Sequence, residues 1–193
     1  MLRDLIVGPH QISFDITNKC NLRCLHCYNS SGENLASQNE LTDQEVLDFI
    51  DEFKSIKLLN FCFCGGEPLL RKELIVEAAK RLRTYGCENV AMVSNGILMT
   101  DEVIEELINA GVTRIQISLD GIKAESHDRI RNKKGVYEKA TRAIEALVKH
   151  GVDTAVAFTP TSFNISELRA VRDYLHTVGI SGTSLRVQPL MIM

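Results

Sequence analysis

Apolar and polar residues alternate one by one in several short stretches of this chain. Ile12, Phe14 and Ile16 alternate with Gln11, Ser13, Asp15 and Thr17. Ile115, Ile117 and Leu119 alternate with Arg114, Gln116, Ser118 and Asp120, and Leu185 and Val187 with Arg186 and Gln188. A two-residue period marks a strand with one apolar face. With the remaining apolar runs, it predicts strands at 11–17, 59–64, 89–94, 113–119, 153–159 and 183–188. Helices are predicted between them, at 43–57, 71–85, 101–110, 136–150 and 166–178. Thr42-x-x-Glu45 reads as a capping box, and Thr100 precedes Asp101 and Glu102 at another helix start. Gly86, Gly111, Gly151 and Gly179 each close a helical run. The segments 30–41 and 121–135 are polar and are expected to be mobile loops.

Strands that alternate with helices imply an α/β fold with a parallel sheet and right-handed crossovers. A sheet covered by helices on both faces should be apolar on both. Here one face is polar. The consistent arrangement is a curved sheet with helices outside and a polar lumen inside. Eight strands would close a barrel around an apolar filling. Six leave the lumen open to a polar ligand.

Composition narrows the class. The chain has 193 residues, 45% hydrophobic and 24% charged, as expected of one globular domain. A net charge of −3 gives no reason to expect nucleic-acid binding. No apolar run approaches a membrane span, and the start, Met1-Leu-Arg-Asp-Leu-Ile-Val, is too short and too charged for a signal peptide. Six cysteines in such a chain point to a reducing, cytoplasmic setting and to metal chemistry rather than disulfides.

The chemistry is concentrated in Cys20-Asn-Leu-Arg-Cys24-Leu-His-Cys27, just after the first strand. Three thiolates from one loop would leave one iron of a four-iron cluster with an open position. A zinc knuckle would need a fourth ligand. His26 is the nearest candidate, but it adjoins Cys27 and would struggle to reach the same tetrahedron. A second motif, Gly65-Gly66-Glu67-Pro68, follows the second strand. Glycines there let the backbone approach a ligand closely. Exposed main-chain oxygens and the Glu67 carboxylate could accept hydrogen bonds from an ammonium group. It lacks the lysine of a phosphate loop. Cys62, Cys64 and Cys87 read as buried structural cysteines. His10, His127, His150 and His176 have no metal-site spacing and read as structural or solvated.

Together the two motifs resemble the radical S-adenosylmethionine (radical SAM) superfamily, over about Gln11 to Gln188. His26 takes the family's usual aromatic place in Cys-x3-Cys-x-aromatic-Cys. The resemblance implies a partial (β/α)6 TIM-like barrel, a [4Fe-4S] cluster on Cys20, Cys24 and Cys27, and SAM as cofactor. Gly65, Gly66 and Glu67 would meet the methionyl amine. Ser94 and Ser118, at strand ends, and Arg131 would contact SAM, with Arg131 facing its carboxylate and Arg129 competing for that place. Thr159, Arg186 and Gln188 are candidates to face the lumen. The implied reaction is reductive cleavage of SAM to a 5′-deoxyadenosyl radical that abstracts hydrogen from a substrate, with the electron from a reductant such as flavodoxin or ferredoxin. The context Asn18-Lys-Cys-Asn-Leu-Arg-Cys-Leu-His-Cys-Tyr28 is similar to SPASM-type maturases that modify ribosomal peptides or protein side chains. A porphyrin-modifying enzyme is the rival within the superfamily. A non-enzymatic iron-sulfur or zinc module is the rival outside it. Residues 1–193 are expected to be one core domain, truncated after the sixth strand and without a SPASM domain.

Overall fold

The computed structural model describes residues 9–32, 39–56 and 58–190. Six strands form one sheet in sequence order: β1 (Gln11–Thr17), β2 (Asn60–Gly65), β3 (Asn89–Ser94), β4 (Arg114–Ser118), β5 (Asp153–Phe158) and β6 (Leu185–Val187). Every neighbouring pair is parallel. Parallel neighbours need a crossover between them. The helices in those crossovers are α1 (Asp43–Asp51), α2 (Lys72–Thr84), α3 (Asp101–Asn109), α4 (Ala124–Arg131), α5 (Val136–Lys149) and α6 (Leu168–Thr177). The result is the open partial barrel that the alternating pattern predicts.

The helices are set by local chemistry. Thr42 Oγ1 accepts the Glu45 N–H, and the Glu45 carboxylate accepts the Thr42 N–H at 2.8 Å, so the capping box is complete. Thr100 caps α3 through the Val103 N–H. The four glycines expected at helix ends all have positive φ.

One face of the sheet carries the core. Phe61, Phe63, Val90, Met92, Ile115, Ile117, Val156 and Phe158 are fully buried there, against helix residues such as Val46, Ile50, Ile75, Ile104 and Leu147. Each such side chain contributes about 1.5–3 kcal/mol. The strand register fixes the opposite, inner face. It sets Ser13, Cys62 and Ala91 side by side, then Val93, Gln116 and Ala155, then Ser118, Ala157 and Arg186. The lumen is thus polar along β1, β4 and β6, and lined by small apolar residues along β3 and β5. Small residues serve the same end as polar ones here, because they leave space.

Two expectations need correction. Cys62 and Cys64 are not fully buried: both are half-buried on the inner face, with their sulfurs 3.5 Å apart. Cys87 is buried at the sheet's outer side, as expected. The segment 121–135 is not a plain loop, since it holds α4. Its sequence is too polar for an apolar stripe to announce the helix. Buried His127 and Ile130 tie it to the body of the protein, and Asn132 ends it in a left-handed turn with φ 54°. Of the segment 30–41, residues 33–38 lie outside the described residues.

The turn from α4 to α5 depends on one carboxylate. Asp128 accepts N–H groups from Gly135, Val136 and Tyr137 at 2.6–3.1 Å, which satisfies donors left free at a helix start. Asp128→Ala is expected to lower stability by about 1–2 kcal/mol, as loss of a helix cap does. Thermal unfolding should show a melting temperature lower by about 2–8 °C.

Candidate functional site

The two sequence motifs meet at the carboxyl ends of β1 and β2. There the Gly66 N–H donates to Thr17 O at 2.7 Å, and the Glu67 N–H donates to Lys19 O at 2.9 Å. The glycines are required by this contact. A Cβ on Gly65 would lie 2.3 Å from Thr17 O, and one on Gly66 would lie 2.2 Å from Lys19 O. Gly65 also holds φ +122°, open to few other residues. The close approach is therefore backbone to backbone, and it fixes the start of the cysteine loop.

Glu67 completes the junction from below. It is fully buried. Its carboxylate accepts the Leu69 N–H at 3.1 Å, the Ser94 hydroxyl at 2.9 Å and the Asn95 N–H at 2.9 Å. Burial raises its pKa, and these three donors and Arg131 oppose the rise. The expected contact between this carboxylate and an amine is revised accordingly: the carboxylate is engaged inside the protein and is not part of the cavity wall. Asn95 extends the junction, donating to Asn21 of the cysteine loop at 2.7 Å.

A second buried carboxylate, Asp120, orders the far side. Its Oδ2 lies 2.5 Å from Arg131 Nη2 and 3.5 Å from His26 Nε2. Its Oδ1 accepts the Thr159 N–H at 2.8 Å. Its backbone N–H donates to His127 Nδ1 at 3.0 Å, and its carbonyl accepts from Asn164 Nδ2 at 2.8 Å. Burial and then the Arg131 charge keep His26 below the ordinary histidine range. The same causes push His127 down to about 4, so it is a neutral acceptor at neutral pH. Arg131 turns its other Nη toward Cys24, 3.7 Å from the sulfur.

Around these two anchors lies a cavity of about 480 Å³. Its wall includes the three loop cysteines, His26, Gly65 and Gly66. Ser94, Ser118, Arg131, Thr159 and Gln188 also line it. Of the predicted residues, Glu67, Arg129 and Arg186 are not in the wall. Arg129 instead stacks on the Phe163 ring at 3.9 Å. Sequence reasoning missed Tyr28, Asn29, Cys64 and Gln116, which also line the cavity. The alternation of β4 had already placed Gln116 on the face shared by Ser118, which was the available signal.

The radical SAM superfamily profile matches residues 14–175. The chain belongs to the radical SAM superfamily. It is 36% identical over 164 residues to an AdoMet-dependent heme synthase of Methanosarcina barkeri, covering 83% of this chain and 45% of that protein. It is 34% identical over 164 residues to the mycofactocin maturase MftC of Mycolicibacterium smegmatis, covering 83% and 40%. Its fold is similar to that of SuiB from Streptococcus suis in a structure with S-adenosylmethionine bound: the TM-score is 0.82 at 12% identity, over 98% of this chain and 43% of that one. The chain thus spans about half the length, or less, of the curated relatives it matches.

Radical SAM proteins use a [4Fe-4S] cluster and SAM, and the donor set here suits both. Each loop thiol accepts one N–H: from Leu22 for Cys20, from Arg131 for Cys24 and from Ser31 for Cys27. Burial raises the pKa of Cys20 and Cys24, with lesser repulsion from Glu67 and the other two thiols at Cys20 and from Cys27 and Asp120 at Cys24, so a bound cation is what would hold them as thiolates. Among the described residues, the buried atoms Gln116 Oε1 and His26 Nδ1 have no hydrogen-bond partner, and both belong to residues of the same wall. They leave polar capacity for a ligand.

Two outcomes follow from the buried anchors. His127 binds a proton at about pH 6.5 when unfolded but only at about pH 4 when folded. Its contribution is complete above pH 6.5 and is lost as pH falls from 6.5 toward 4, by up to about 3 kcal/mol. Denaturant titrations should show that loss, and His127→Asn, which keeps an acceptor but does not titrate, should flatten it. Glu67→Gln should lower stability by about 1–3 kcal/mol without any ligand, because its amide group sets a donor against donors.

Proposed function

We propose that this chain is the catalytic core of a radical SAM enzyme whose substrate is a side chain of a ribosomal peptide or protein. The observation that carries this reading is convergence: the three cysteines, the Gly65–Gly66 backbone and the serines of β3 and β4 all border one cavity. When bound, the cluster and SAM together supply reductive cleavage of SAM to methionine and a 5′-deoxyadenosyl radical.

The residues of this chain bind, orient and exclude. Cys20, Cys24 and Cys27 are assigned the cluster. The main chain of Gly65 and Gly66 is assigned the methionyl amine, with Glu67 holding that turn from beneath. Arg131 serves the SAM carboxylate in this reading. Its Asp120 partner fixes the guanidinium, and its Nε has no partner among the described residues. Ser94 and Ser118 remain SAM contacts. Ser118 is the freer of the two, since the Ser94 hydroxyl already binds Glu67 and the Gly96 N–H. The electron would come from a protein reductant such as a flavodoxin or ferredoxin. No helix among the described residues is long and apolar enough to cross a membrane.

The peptide class draws support from the mycofactocin maturase and from the fold shared with SuiB, which has also been solved bound to its precursor peptide SuiA. The heme synthase relative supports a second reading, with a porphyrin as substrate. Anaerobic turnover with candidate peptides and with iron porphyrins, followed by mass spectrometry, separates the two. Modification of porphyrin alone would reject the peptide assignment.

The cofactor assignment is tested first. Alanine at Cys20, Cys24 or Cys27 should abolish iron retention after reconstitution, whereas Cys62→Ala should leave iron content near normal. Arg131→Ala should weaken SAM binding by about ten- to a hundredfold, as loss of a charged hydrogen bond does, and Arg129→Ala should not. Equal iron loss in all four cysteine variants, or normal SAM affinity in Arg131→Ala, would overturn these assignments.

A further inference from the structure

The cysteine loop is a wall between two concave surfaces. Cys24 and His26 line the inner cavity. Leu25, which stands between them, lines an outer groove of about 680 Å³ instead. It is 63% exposed, the most exposed large apolar side chain among the described residues. The opposite wall of the groove is α4 and the turn after it, bearing Arg129, Lys133 and Lys134. The two walls are tied together. The Leu25 N–H donates to Ile130 O at 2.8 Å, and Lys133 Nζ to Asn21 O at 3.4 Å. Leu25 is bonded directly to Cys24, so a molecule touching it comes within a residue's width of that thiol.

The charge of the groove sets it apart from the protein as a whole. The chain carries a net charge of −3. In the groove, three cations face Glu125 and Asp128. Asp128 is held by three N–H groups at the start of α5, and Arg129 is held on the Phe163 ring, so three cations stand against two carboxylates and the groove is cationic by one charge. An exposed apolar centre with a cationic rim is a surface for brief protein encounters steered by charge. Three cations around a leucine suit an acidic protein better than a nucleic acid, which is gripped through many phosphates.

We propose that this groove docks an acidic one-electron carrier protein and admits the electron through the Leu25–Cys24 side of the loop. The proposal rests on the cluster assignment above. One electron leaves the reduced carrier and is accepted at the group held by the three thiols; no bond is made and no proton moves. The inner cavity stays free for SAM and substrate, because the carrier approaches from the other face.

The test compares reductants on the cluster-loaded chain. Cluster reduction is followed anaerobically by loss of visible absorbance, with either a reduced acidic flavodoxin or dithionite, in wild type and in Arg129→Glu/Lys134→Glu. At low salt the double variant should be reduced about tenfold more slowly by flavodoxin and at the wild-type rate by dithionite. Raising the salt should slow wild type toward the variant, since exposed charges are screened. Binding of oxidised flavodoxin to the cluster-free chain should weaken by a similar factor. Lys139→Glu, an exposed change outside the groove, should behave as wild type. Unchanged flavodoxin rates in the double variant would overturn the proposal. So would equal slowing with both reductants, which would place the effect at the cluster. Failure of the cluster assignment itself is recognised separately, because wild type would then retain no iron.

Discussion

The site depends on one backbone junction. Gly65 to Glu67 pack against Thr17 to Lys19 so closely that no side chain fits between them. This contact joins the end of β2 to the end of β1 and sets where the cysteine loop begins. Glu67 then fastens the junction to β3 through Ser94 and Asn95, and Asn95 returns to the loop through Asn21. The path is closed, so the loop is held from both ends of its first turn. A cluster-binding loop needs such support, because three thiols must stand ready in a fixed arrangement before the metal can select them.

Asp120 plays the corresponding part on the other side. As an isolated buried charge it would be costly. Here it is met by Arg131, the Thr159 N–H and His26. Through Arg131 it reaches Cys24, and through its own backbone it reaches His127 on α4. Its partners come from the cysteine loop, α4 and the loop after β5, so one carboxylate coordinates segments distant in sequence. Charge is thereby brought beside the Cys24 thiol.

These two anchors also explain the division of space. The inner cavity collects the strand ends, where parallel barrels place their ligands. The outer groove lies behind the cysteine loop, against α4. A single loop serves both faces because successive residues turn their side chains in opposite directions.

The sequence by itself determined where most strands and helices lie, how the helices are capped and the spacing of the three cysteines. Each is a local property: period two in β1 and β4, a Thr42–Glu45 box, a fixed spacing of thiols. It did not reveal α4, whose eight residues are held by burial of His127 and Ile130 rather than by their own pattern. It misplaced Cys62 and Cys64, because in Asn60-Phe-Cys-Phe-Cys64 both faces look apolar and periodicity cannot say which one is the lumen. It named Glu67 and Arg131 as site residues but not their partners. Whether a charged group meets a ligand or another charge depends on what folding brings beside it, and Ser94 and Asp120 lie 27 and 11 residues away. Tertiary structure alone decided that Glu67 supports the site from within while Arg131 stands in its wall.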